Sequence, residues 1–358
     1  MRTTMSYLAG TLVPKAADGS DVVNAGTTNS YQGVTRAFNR MVIRFGGVVV
    51  EDISYYSDVL AMYYSTLPET RRKVLKALEG FGDTGAWKNG KRKWAHALMS
   101  SLFVTDQSLP LVLIQSGGIA IELFLAPASE LFTSANVAYY EIQQPSFRWM
   151  GITPDPSYTI ALRSAVSSAG RSAFIHFQKL HFYPSNGNGS QTLQIQVPIG
   201  QVSSIASVDT VFWDETSYAD RTKDKYLRFH SANLVDFRIE NNGTSQPSQL
   251  SFKYEGGLDP EVVLLGLLSS SGNIYTMDRD VSLQDNFETS SFRIGMNFQS
   301  SNELAGTGLS TLGASSPFLT ITTTHSAVVP PTTRILTVAT VDALIEFRGA
   351  EIAISEIS

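Results

Sequence analysis

The chain has no cysteine among its 358 residues. That excludes disulfides and thiolate metal sites, and it leaves a reducing compartment as the easier reading. Stability must then come from packing. Long apolar runs are missing too: LPLVLI (109–114) and VVLLGLL (262–268) fall far short of the roughly 18 residues that a membrane-spanning helix needs. The opening MRTTMSYLAGTLVPKAADGSD has no apolar core of a signal peptide, so the sequons at Asn188 and Asn242 read as turn residues rather than glycan sites. Charge is sparse, at 16% of residues with a net of −5, which suits a protein that buries surface against copies of itself.

What is present is strand. In the last third, FRIGMNF (292–298), FLTITTTHSAVV (318–329) and RILTVATVDALIEFRGAEIAIS (334–355) follow one another, with Asn302, Gly306, Gly308 and Pro330-Pro331 as the breaks. Phe292, Ile294, Met296 and Phe298 alternate with period two and turn one apolar face inward, and a β-sandwich is the simplest way to bury such faces. A chain of this length outgrows one core, so two domains are expected. Each half runs strand, turn, helix, strands. Residues 41–53 read as a strand pair around Gly46-Gly47 and 57–67 as a helix capped by Ser57; 249–257 read as strand and turn, and 258–268 as a helix with Asp259 as cap and Pro260 in its first turn. Between them, 119–126, 172–183 and 191–200 are strand-like, with SNGNGS (185–190) as a hairpin turn joining the last two. Residues 13–33, rich in Ala, Gly, Asn, Ser and Thr, read as an extended arm that packs outside its own domain, on a neighbouring chain or the inner surface of an assembly. The polar stretch 214–225 reads as the linker. The expected division is therefore an arm at 1–33, a first domain at 34–220 and a second at 221–358.

Chemistry is thin. His176 and His181, five apart on a strand, point to opposite faces and make no metal pair. Asp278 and Asp280 share a face but have Arg279 between them and no further carboxylate nearby. GLSTL (308–312) lacks the second glycine of a nucleophile elbow, and SNGNGSQT lacks the third glycine of a phosphate cradle. No catalytic, metal or cofactor residue is nominated. The one charge anomaly is 69–94, where Arg71, Arg72, Lys73, Lys76, Lys88, Lys91, Arg92 and Lys93 stand against Glu69, Glu79 and Asp83, a local +5 in an acidic chain. Trp87 and Trp94 flank its densest part, KNGKRK, and aromatics beside cations can stack on bases or grip an acidic partner. The candidate contact residues are therefore Arg71, Arg72, Trp87, Lys88, Lys91, Arg92, Lys93 and Trp94. A solvated loop, an acidic neighbouring surface and a genome are the three readings; the overall negative charge opposes nonspecific nucleic-acid binding.

Several segments resemble the double jelly-roll major capsid proteins of tailless icosahedral DNA viruses, the group of adenovirus hexon, polinton-like viruses and virophages. FNRMVIRFGGVVVEDISYYSDVL (38–60) is similar to that family's opening strand pair and helix, and SGGIAIELFLAPASELF (116–132) to its strand leading into a small-residue loop. VPIGQVSSIASVDTVF (197–212) resembles the end of the first jelly roll and FRIENNGTSQPSQ (237–249) the opening of the second. FRIGMNFQSSNELAGTGLSTL (292–312) and VDALIEFRGAEIAIS (341–355) resemble its closing portion. The resemblance implies an all-β chain of two tandem jelly-roll β-sandwiches with short helices in the connecting loops. It implies a non-enzymatic major capsid protein, without cofactor, that forms a homotrimeric pseudo-hexagonal capsomer, tiles an icosahedral shell and resides in the virion after assembly inside the host cell. The partners so implied are further copies, neighbouring capsomers, and penton or minor capsid proteins. The alternative from composition and fold class is a secreted carbohydrate-binding β-sandwich with Trp149 or Trp213 as its platform.

Overall fold

A computed structural model describes residues 2–23, 33–65, 69–80, 90–104, 109–114, 117–151, 153–167, 171–200, 202, 204–218, 229–241, 244–246, 253–254, 257–258, 292–299, 307–312, 318–349 and 351–356. The chain forms two compact units: Met1–Leu60, Thr70–Lys179 and Ala343–Ser355 make one, and Ala61–Glu69, Leu180–Asp342 and Glu356–Ser358 the other.

The elements up to Asn186 are β1 (Arg2–Lys15), β2 (Phe38–Phe45), β3 (Val48–Ser54), α1 (Tyr56–Ser65), α2 (Glu69–Glu79), β4 (Arg92–Ala97), α3 (Ser101–Val104), β5 (Ile119–Leu125), α4 (Ala128–Leu131), β6 (Tyr139–Met150), α5 (Pro156–Ser167) and β7 (Ala173–Asn186). In the first unit two antiparallel sheets, in the orders β4-β1-β6 and β3-β2-β5, supply the layers. The β2-β3 hairpin closes through Gly46 and Gly47, both with positive φ (56° and 89°), as a two-residue turn that twists with its strands requires. The layers meet face to face: the Phe38 ring of β2 lies 5.5 Å from Trp94 and 6.3 Å from His96 of β4. Leu12, Val13, Met41, Ile43, Phe45 and Ile53 are wholly buried there.

The remaining strands are β8 (Thr192–Val197), β9 (Ile205–Asp214), β10 (Leu234–Asn241), β11 (Thr244–Gln246), β12 (Lys253–Tyr254), β13 (Gly257–Leu258), β14 (Ile294–Asn297), β15 (Leu319–His325), β16 (Thr333–Arg348) and β17 (Glu351–Glu356). In the second unit, one sheet runs β11-β10-β15-β8. Facing it is the order β14-β9-β16, which β17 extends past the Gly349 turn. A single cluster including Val197, Phe212, Phe237, Phe292, Ile321, Ile335 and Val341 fills the space between them. The expected strand in 318–329 is β15, which alternates with Leu319, Ile321, Thr323 and His325 inward.

Several expectations need correction. Residues 2–15 are not an arm: β1 is the middle strand of its sheet, paired to β4 from Tyr7 to Leu12 and to β6 as far as Lys15, while residues 24–32 of the expected arm lie outside the described residues. Leu8, Gly10 and Leu12 fall at alternate positions, and Gly10 leaves room for the Trp94 ring, whose Cζ2 would lie 3.2 Å from a Cβ there. Residues 16–22 double back as a short turn, with Val22 N–H donating to Pro14 O at 3.0 Å. SNGNGS is no hairpin between β7 and β8, because β7 pairs with β16 and β8 with β15. Gly187 serves a close approach instead: a Cβ there would meet Pro330 O at 2.0 Å. The compact units divide between Lys179 and Leu180 rather than between residues 220 and 221, since β8 and β9 hydrogen-bond to strands of the second half, and 343–355 return to the first unit. Helix α1 begins at Tyr56, one residue before the expected cap. Ser57 instead accepts a hydrogen bond from Arg36. The expected helix at 258–268, with Asp259 and Pro260, and the Asp278/Asp280 pair lie outside the described residues, apart from Leu258 in β13.

Candidate functional site

The basic stretch divides into parts with different fates. Arg71 and Arg72 lie on α2, and Trp87 and Lys88 lie outside the described residues. Helix α2 ends at Glu79, and Gly80 follows with φ 83°, the usual left-handed stop. The Arg92 guanidinium lies across that stop: a Cβ on Gly80 would sit 2.6 Å from its Cζ. A cation beside a helix C-terminus is favourably placed. Lys91 pairs with Asp21 at 3.0 Å and Lys15 pairs with the same carboxylate at 2.8 Å. Hydrogen bonds from Lys15 and then Lys91 hold Asp21 below the usual carboxylate range. Lys93 is exposed.

Trp94 is 5% exposed and packed on Phe38, so it is a core residue and not a stacking platform. The signal for that was in the sequence. Trp94, His96 and Leu98 recur at every second residue, and all three are buried.

Sequence reasoning missed the buried polar groups, which are the chemically distinctive part of both units. In the first unit, His96 Nδ1 meets Glu79 Oε1 at 2.7 Å and its Nε2 meets the Tyr56 hydroxyl at 2.7 Å, while that hydroxyl accepts Met99 N–H at 3.0 Å. All three side chains are 1% exposed or less. The chain ties the ends of α1, α2 and β4 into one polar core, and burial pushes the Tyr56 phenol far up. Glu51 on β3 is likewise buried; Ser100 Oγ donates to one of its oxygens, and the other has no hydrogen-bond partner among the described residues. Desolvation pushes its carboxyl up to about 8, against the opposing pull of Ser100 and Lys179. Arg36, 1% exposed, forms an ion pair with Glu130 and donates to Ser57.

In the second unit, Arg293 pairs with Asp209 at 2.9 Å, both nearly buried, and reaches Met62 O at 3.4 Å. Asp342 accepts from Ser204 and from Gln299. His181 pairs with Glu356 at 3.0 Å. Among the described residues no cluster of three His, Asp or Glu has metal-binding geometry.

Exposed apolar side chains mark the first unit: Phe124 and Leu125 on β5, Trp149 on β6, Tyr158 and Ile160 on α5, and Phe174 on β7. Strand β5 has no buried residue although six of its seven side chains are apolar. Of the two tryptophans nominated as carbohydrate platforms, Trp149 is exposed and Trp213 is buried.

No family model matches the sequence, and no curated protein does. Solved structures do. PBCV-1 VP54, fitted into a cryo-EM reconstruction of the virophage Sputnik, superposes with a TM-score of 0.67 over 99% of this chain and 90% of that one, at 9% identity. The Faustovirus major capsid protein gives 0.61 over 100% and 80%, at 8% identity. The 3.5 Å cryo-EM structure of the Sputnik virophage gives 0.56 over 99% and 82%, at 9% identity.

The fold is a double jelly roll. At such low identity a double jelly roll is carried by strand order and facing apolar surfaces rather than by particular residues, which is how segments as ordinary as FRIGMNF and VDALIEFRG belong to it.

Proposed function

We propose that this chain is the major capsid protein of an icosahedral virus and a structural component of the virion. The carrying observation is likeness of fold along the entire chain to proteins of viral capsids, with 90% of PBCV-1 VP54 and 80% of the Faustovirus major capsid protein covered. Three chains of two jelly rolls each would present six similar sandwiches around a three-fold axis, a nearly hexagonal block that can tile a shell. A permanent assembly of this kind buries more than about 2,000 Å² in total. The exposed apolar residues of β5, β6, β7 and α5 are surface that self-association would remove from water. Lys93, with the cations on α2, is assigned to an acidic surface of a neighbouring block, and penton or minor capsid proteins are further partners. The function is mechanical, with no turnover and no cofactor.

Mass measurement in solution tests the assembly. A particle of three times the 39.0 kDa chain mass is expected, together with closed shells in electron micrographs of the expressed protein. A stable monomer that forms no shell at high concentration refutes the reading.

A further inference from the structure

In the second unit, a tight turn is held by two histidines. Leu234 N–H donates to Ser231 O at 3.0 Å, and the two residues between them, Ala232 and Asn233, have φ of 52° and 57°. Such a turn needs left-handed backbone at both central positions, where glycine and asparagine are favoured and alanine is strained. The Ala232 peptide is gripped from both sides. Its N–H donates to His230 Nδ1 at 3.0 Å, and its C=O accepts from His325 Nδ1 at 2.8 Å. With a proton on Nδ1, neutral His325 uses Nε2 to accept from the Thr323 hydroxyl at 2.9 Å. The ring of His325 is 2% exposed and stands edge-on to Phe212 at 5.6 Å. The turn also carries β-sheet consequences, because Leu234 faces His325 across the β10-β15 pair and Ser326 N–H donates to Asn233 O at 2.8 Å.

We infer that this turn is an acid-released latch: protonation of His230 breaks its bond to the Ala232 N–H, frees the strained turn and loosens the adjoining ends of β10 and β15. The geometry makes the two histidines unequal. His325 can take a second proton while Thr323 rotates to accept from Nε2. His230 cannot, because its Nδ1 already faces an N–H, and a proton there sets donor against donor. Once that bond is gone, the strained Ala232 has little reason to stay left-handed. Burial lowers both histidines from the ordinary range; Asp214 on β9 opposes this for His230, and for His325 the hydrogen bond to Ala232 O opposes it while the charge of His230 adds to it. Because the folded form prefers both rings neutral, the stabilisation is complete above the unfolded histidine range, near pH 6.5, and is lost as pH falls through the lowered folded values.

The test is amide hydrogen exchange, corrected for intrinsic rate, on the full chain at about pH 7 and about pH 5. Protection of 230–241 and 319–326 should be lost progressively from the higher to the lower pH. Protection of β2 in the first unit should hold. His230→Asn keeps an acceptor for the Ala232 N–H but cannot titrate, so it should abolish the acid response. Should that variant fail to fold, Ala232→Gly serves, because it relieves the strain and keeps both histidines. It should restore protection at the lower pH. Acid loosening that is uniform across both units, or that persists unchanged in His230→Asn or in Ala232→Gly, overturns the inference.

Discussion

The carboxyl of Glu51 should make the first unit less stable in alkali, and the size of the effect follows from its surroundings. It is 1% exposed, holds one hydrogen bond from Ser100 and titrates at about 8 instead of its ordinary 4.5. In the unfolded chain the group ionises at its ordinary value. Between those two values the unfolded state has lost its proton and the folded state has kept it, so stability falls by about 1.4 kcal/mol for each pH unit. The contribution is intact below about pH 4.5 and is lost by about pH 8, a total on the order of 5 kcal/mol. That is a large part of the 5–15 kcal/mol typical of a domain. Urea unfolding at a series of pH values between about 5 and 9 reads this as a falling midpoint. Glu51→Gln keeps the shape, removes the titration and should flatten the fall, giving a protein more stable than the parent at about pH 9. An unchanged slope in Glu51→Gln would refute the assignment of this proton to a buried carboxyl.

Three further outcomes follow. Leu12→Ala should destabilise the first unit by about 2–5 kcal/mol, as truncation of a fully buried leucine does, with thermal melting as the readout; a neutral result would return residues 2–15 to the status of an arm. Arg293→Ala should cost about 3–5 kcal/mol because it leaves Asp209 buried without its cation, whereas the paired change Arg293→Met with Asp209→Leu should cost much less, a contrast measurable by denaturant titration. Gly308→Ala places a Cβ 2.3 Å from Ile205 O, a backbone atom that cannot step aside. It should lower the melting temperature of the second unit, by about 1–3 kcal/mol of stability or more, while Gly189→Ala, with open space around it, should act only through its positive φ.

The parts of the fold that were legible in the sequence are those where one local rule decides. Gly46-Gly47 demanded a hairpin, and the apolar alternation of Phe292, Ile294 and Met296 demanded a strand; both are present. The β1 strand was harder to see. Its small and polar residues look like an arm until Trp94 and Phe147 are brought beside it, and those lie far along the chain. SNGNGS misled for a related reason. Turn residues report that the chain bends, but the choice of pairing partner is made by burial in distant strands. Within the candidate site, the cations were legible as charge, whereas the Tyr56-His96-Glu79 chain was not, because hydrogen bonding across 40 residues leaves no spacing to read.

The position of β1 has a consequence for synthesis. Its two pairing strands begin roughly 80 and 120 residues after it ends. At about 5–20 residues per second, β1 waits outside the ribosome for several seconds to roughly half a minute with both edges unpaired. A strand left open for that long beside other growing chains can pair with the β4 or β6 of a neighbour as readily as with its own. Chains made close together on one message are therefore exposed to strand exchange at this position, and whatever shields the nascent β1 also decides whether the sheets close within one chain or between two.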